Sequence, residues 1–156
     1  MRKSVQTMFA TALLLAAVQL IAGGGIFVML GNPDANPEAR AHNAVLTLKL
    51  AGCGQPDKAT VTGTAIRMSE GKRQTIPLKL IALSEPGSYA VTRQWPAGER
   101  WVLQFVAGYD DRILTSTLVA AGPNGIERHN AKMAMQPPAE ADVLALLSGG
   151  PEMARK

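Results

Sequence analysis

From residue 44 onward the chain alternates apolar and polar side chains in short runs, and turn-forming residues break every run. A period of two sends neighbouring side chains to opposite faces of an extended chain, so this patterning restricts the fold to packed sheets. The runs cover Ala44–Leu50, Ala59–Met68, Gln74–Leu83, Ser88–Trp95, Trp101–Ala107, Ile113–Val119 and Ile126–Met135. Between them lie GCGQPDK, SEGKR, SEPGS, PAGE, GYDD and AAGPNG, rich in the Gly, Pro, Asn and Asp of tight turns. No helical period separates the strands, and short turns favour antiparallel pairing. The pattern predicts an all-β domain over residues 43–136: an immunoglobulin-like antiparallel β-sandwich of about seven strands, preceded by an N-terminal hydrophobic helix.

Particular residues sharpen this expectation. Thr60, Thr62 and Thr64 share one face of their strand, with Val61, Gly63 and Ala65 on the other. Pro77 cannot donate a ladder hydrogen bond, so its strand is expected at a sheet edge or bulged. Gly71 is the expected positive-φ residue of the SEGKR turn, and Pro86-Gly87 suits a type II turn. Trp101, Leu103 and Phe105 share a face, which makes Trp101 the candidate central aromatic. After the sandwich, residues 137–156 form a tail in which Ala139–Leu147 suits a short helix, stopped by Gly149-Gly150-Pro151 and able to dock Leu144 and Leu147.

Ahead of the strands, Met8–Leu30 runs for 23 residues without a charge, after the basic start Met1-Arg2-Lys3. Residues 1–30 therefore read as a signal peptide or an N-terminal transmembrane anchor, with the rest exported. A spanning helix needs about 20 residues and a secretory apolar core about 7–15. Leu13–Ala22 could be that core, with Ala22-Gly23-Gly24 as a small-residue cleavage site and Ala39-Arg40-Ala41 as a later one. GNPDANPEAR, within residues 31–42, reads as a linker or processing spacer. The expected location is periplasmic, or the outer side of the inner membrane, attached through the N-terminal segment if it is uncleaved.

Leu50-Ala51-Gly52-Cys53 spells a lipoprotein processing signal, in which the cysteine would carry lipid. Its setting argues otherwise. Twenty-two residues separate Leu30 from Cys53, including Asp34, Glu38, Arg40 and Lys49, and the residues just before it alternate as a strand does. Cys53 reads instead as a small residue at a strand end. One cysteine permits no internal disulfide, and a lone thiol outside the cytosol is best tolerated when buried.

Charge and composition narrow the chemistry. The net charge is +4 and aromatics make up 4% of the chain, so the basic stripe and stacking aromatics of a nucleic-acid binder are missing. Motifs for a nucleophile elbow, a zinc protease, a phosphate loop or a redox dithiol do not occur. The sequence therefore points to a noncatalytic binding or accessory role with an envelope protein partner, and calls for no cofactor. The alternative is a periplasmic copper-binding protein. If Ile126–Met135 is one strand, His129, Met133 and Met135 share a face, and an imidazole with two thioethers suits Cu(I). The competing reading puts both methionines in the core. Arg67, Lys72, Arg73 and Lys79 gather about one hairpin, where solvated charges discourage strand addition or could meet anionic lipid.

The run EPGSYAVTRQWPAGERWVLQFV resembles small exported bacterial sandwich domains of the YtkA-like and FixH-like type. The residues that carry the likeness are Gly87, Tyr89, Gly98, Trp101 and Leu103, across about 25 positions. The resemblance implies an extracytoplasmic accessory domain, tied to membrane metal or respiratory assemblies and preceded by a spanning helix. It assigns no catalytic residue.

Overall fold

The structure, a computed structural model, describes residues 25–109 and 112–149. The chain is mostly β, in two antiparallel sheets. The four-stranded sheet comprises β1 (Ile26–Gly31), β2 (Leu46–Gly52), β6 (Ser88–Val91) and β5 (Leu80–Ala82), in that spatial order. The six-stranded sheet runs β10 (Lys132–Ala134), β8 (Arg112–Gly122), β7 (Trp101–Tyr109), β3 (Thr60–Ser69) and β4 (Lys72–Leu78), with β9 (Gly125–Ile126) also paired to β8. Two helices, α1 (Pro37–Ala41) and α2 (Glu140–Leu147), lie outside the sheets.

The inward faces follow the period of two. Ile26 and Val28 of β1, Leu46, Leu48 and Leu50 of β2, and Val91 of β6 meet Ala65 of β3 and Trp101, Leu103 and Phe105 of β7 in one buried cluster. Trp101 is 2% exposed, as its place in the pattern predicts. Its indole Nε1 is the one buried side-chain nitrogen or oxygen without a hydrogen-bond partner among the described residues. The Arg67 guanidinium, ion-paired with Glu99, lies 5.7 Å from the ring centroid. That spacing allows a cation–π contact at the end of the core.

Turn chemistry held at the hairpin between β3 and β4. Glu70 and Gly71 form a two-residue loop with φ of 51° and 73°, between the paired Ser69 and Lys72. Two positive φ values give the twist that suits flanking strands, and glycine adopts one without a Cβ penalty. Pro77 lies on β4, an edge of the six-stranded sheet, where its missing N–H leaves no ladder bond unmade.

Four expectations are corrected. The boundary at residue 30 falls inside the folded domain, because Ile26 to Gly31 pair with Gly52 to Thr47 in unbroken register. Ile26 and Val28 are completely buried, so the end of the uncharged run is a strand and not part of a membrane segment. Residues 1–24 of the leader or anchor expected over 1–30, with the N-terminal hydrophobic helix, lie outside the described residues. Residues 31–42 are also not a linker. Asn32 caps a 3-10 turn at Pro33–Ala35, and Asn36 caps α1 by accepting from the backbone N–H groups of Glu38 and Ala39 at 2.9 and 3.0 Å. Each asparagine precedes a proline whose fixed φ suits the first helical position.

The strand expected over 74–83 is two strands. After Leu78 the chain leaves one sheet, and β5 joins the other. The strand expected over 126–135 is broken by a 3-10 turn at Arg128–Asn130. The count is therefore ten strands among the described residues. Among those residues, no helix is long and apolar enough to cross a membrane.

The predicted C-terminal helix forms and packs on the outer face of the six-stranded sheet. Its phase differs by one residue from the expectation. Val143 and Leu146 are buried against Ile66, Val102, Leu118 and Ala120, Leu147 packs at their margin, and Leu144 is 45% exposed. The helical period brings residues three apart onto one face, so Val143 and Leu146 form a pair that excludes Leu144.

Candidate functional site

On one side of the sandwich β1 and β10 form the sheet edges. β1 reaches across to the other sheet, and the Thr117 hydroxyl of β8 donates to the Val28 carbonyl at 3.4 Å. Beside that contact lies an open recess of about 270 Å³, lined by Val28, Met29 and Leu30 on one side and by Thr117, Ala131 and Met133 on the other, with Arg128 at its margin. Met29 and Met133 are 50% and 54% exposed. Their thioether side chains are flexible and polarizable, which lets such a surface adapt to an apolar partner.

A second recess of similar size lies on the outer face of the four-stranded sheet. Met29 and Leu30 border it too, with Asn32, Asn36, Lys49 and Glu85 opposite. β1 therefore stands between two recesses. Its outward residues are apolar where an exposed strand face is normally polar, since Phe27 and Met29 point away from the core.

The copper candidates His129, Met133 and Met135 do not lie on one strand. The break at Arg128–Asn130 removes the single strand that would have aligned them. His129 is exposed on that turn, Met133 lies on β10, and Met135 follows β10 with 59% exposure. A Cβ at Gly25 would collide with the Met135 methyl, so Met135 covers the entry to β1. The expectation that Met133 and Met135 fill the core is corrected, since both are exposed. Met29 and Met133 line the same recess, a juxtaposition invisible in sequence because 104 positions separate them. Among the described residues, no three of His, Cys, Asp or Glu gather as a metal site.

The carboxylates with perturbed acidity act as structural ties. Glu38 accepts from the Ser84 backbone N–H and hydroxyl, at 3.0 and 2.7 Å, and these bonds hold its pKa below the ordinary value. Glu85 is lowered by hydrogen bonds from Lys49 and Ser88. Glu127 is lowered chiefly by Arg100, whose Nη1 and Nη2 bind the two carboxylate oxygens at 2.6 and 2.9 Å. All three are shifted toward the anion, the opposite of what a general acid needs near neutrality.

Two further sequence candidates resolve plainly. Leu50 is 3% exposed, and β2 pairs on both sides, with β1 and with β6. Cutting the chain before Cys53 would remove both β1 and β2 from the sheet. Cys53 itself is exposed, directly after the end of β2 as the strand-end reading expects. Of the basic hairpin, Arg67 is engaged by Glu99 and Arg73 by Glu140 of α2, so part of that charge holds the fold.

Comparison of the chain with protein-family models, curated proteins and solved structures gave no match.

Proposed function

We propose that this chain is an exported, noncatalytic β-sandwich of immunoglobulin type that binds an envelope protein partner through the edge where Met29 and Met133 meet. The observation that carries this reading is the exposure of both methionines across one recess, on strands at the edges of their sheets. Exposed sheet edges and adaptable apolar side chains are the usual ingredients of peptide and protein recognition.

The immunoglobulin assignment is supported by strand order. β1-β2-β6-β5 facing β4-β3-β7-β8 corresponds to the A-B-E-D and C′-C-F-G sheets of that architecture, with the sheet switch between β4 and β5 at C′ to D. Export is supported by Met1-Arg2-Lys3 and the uncharged stretch after it. The likeness to YtkA-like and FixH-like domains agrees with this reading but adds no site. Trp101 and Leu103 are core residues, Tyr89 packs half-buried against that core, and Gly87 and Gly98 are turn residues.

A photo-cross-linking residue placed at position 29 or 133 of the full chain, in the producing cells, tests the binding face. Discrete adducts are expected from both positions, and none from position 144 on the far side of the sandwich. Equal yields from all three would reject the assignment of this edge. The copper alternative is favoured by one feature alone, two thioethers on one recess. Cu(I) titration of the exported product, against its H129A/M133A/M135A and M29A/M133A variants, separates the readings. Equal weak uptake by all three removes copper.

A further inference from the structure

Resting on the export reading, we infer that the leader is removed by hydrolysis of the Gly24–Gly25 bond, and that the mature chain begins at Gly25. Three observations converge on that bond.

The first is how much of the apolar run the fold consumes. Ile26 and Val28 are fully buried in the main core, and β1 is paired along its whole length. What remains of the run before the glycines is residues 8–22, fifteen positions. At 1.5 Å per residue, a helix of that length reaches about 23 Å, short of the roughly 30 Å of a bilayer core. Only Gly23, Gly24 and Gly25 would then separate a spanning segment from β1. Fifteen residues instead match the apolar core of a secretory leader, about 7–15 residues.

The second is the side-chain pattern at the bond. Leader peptidases select small residues at the first and third positions before the cut. Gly24 and Ala22 fill those positions for a cut at Gly24–Gly25. Cuts after Ala22 or Gly23 would put Leu20 or Ile21 at the third position. A cut after Gly25 would create a charged amine on Ile26, which is completely buried, and burying an unpaired charge is costly. Gly25 is only half-buried, so a new amine there reaches water.

The third concerns the later A-x-A site. A cut there is weighed by the chain it would leave to fold. A chain beginning at His42 lacks β1 and α1, which strips Ile26 and Val28 from the main core and Ala39 from its cluster with Leu83 and Ala90. The hydrolysis is simple in balance. The Gly24 carbonyl carbon gains the hydroxyl of water, the C–N bond breaks, and the Gly25 nitrogen leaves as an amine carrying the remaining proton.

The test is intact-mass spectrometry of the full-length chain after expression and fractionation of a bacterial host. The expected product is soluble in the periplasmic fraction and begins at Gly25. An envelope product that begins at His42, or that keeps Met1 in the membrane, would overturn this inference while leaving export standing. A chain that stays in the cytosol with its leader would overturn export, and this inference with it. Two variants complete the test. Ala22→Lys, with its charge at the third position, is expected to accumulate uncleaved precursor. Ala41→Lys, at an exposed position, is expected to leave the start at Gly25. The opposite result for either variant counts against the assigned bond.

Discussion

The two outer faces of the sandwich are finished differently. On the six-stranded sheet, α2 lies over Ile66, Val102, Leu118 and Ala120 and is held at its rim by polar ties. Arg100 Nε donates to the Leu146 carbonyl at 2.7 Å while the same guanidinium grips Glu127, and Lys132 and Arg73 bind Asp142 and Glu140. On the four-stranded sheet, α1 packs on the β5–β6 side, through Ala39, Leu83 and Ala90. The β1 side keeps Phe27 and Met29 outward, with no helix among the described residues packed on them. Both faces carry apolar residues, yet among the described residues a helix packs over one and not over the β1 side of the other. The proposed binding face lies on that β1 side.

This contrast can be broken by measurement. Leu146→Ala should cost about 2–5 kcal/mol in urea unfolding, because it opens a cavity under α2. If it costs no more than a surface substitution, α2 does not seal the sheet. Arg100→Ala should cost about 1.5–3 kcal/mol, since it removes a bidentate charged contact and frees a helix-end carbonyl. Its partner gives a pH signature. Glu127 is more acidic when folded, so its contribution is complete above the ordinary glutamate pKa of about 4.3 and fades as pH falls past the lower folded value. Glu127→Gln should therefore flatten the acid limb of a stability–pH curve and lower stability at neutral pH.

On the open side, Gly52→Ala should cost about 1–3 kcal/mol. Its φ is 130°, and a Cβ there would strike the Gly25 carbonyl oxygen, where β1 begins. The smallest effect belongs to Met29→Ala, expected within about 0.5 kcal/mol of the parent. A much larger loss would show that Met29 is a core residue and not a contact held open for a partner.

Much of the fold was legible in the residues. Wherever one strand face is apolar and the other polar, as with Thr60, Thr62 and Thr64 against Gly63 and Ala65, the period of two gave the strand and its orientation. It failed where that contrast disappears. β1 reads IFVML, apolar on both faces, because one side meets the core and the other is the open face. Such a run looks the same whether it is destined for lipid or for a sheet. The repeated Asn-Pro in GNPDANPEAR was a usable cap signal for the 3-10 turn and α1, hidden by a composition that resembles a linker. The meeting of Met29 with Met133 carried no local signal at all.

By itself, the sequence determined that this chain builds antiparallel sheets, where its hairpins turn, and that a short helix follows them. These are consequences of neighbouring side chains and backbone angles, which act over a few residues. Only the tertiary structure decided that the end of the uncharged run is an edge strand, that residues 74–83 divide between two sheets, and which methionines share a recess. Those outcomes depend on which surfaces meet across the core, and burial is a property of the assembled chain rather than of any one segment of it.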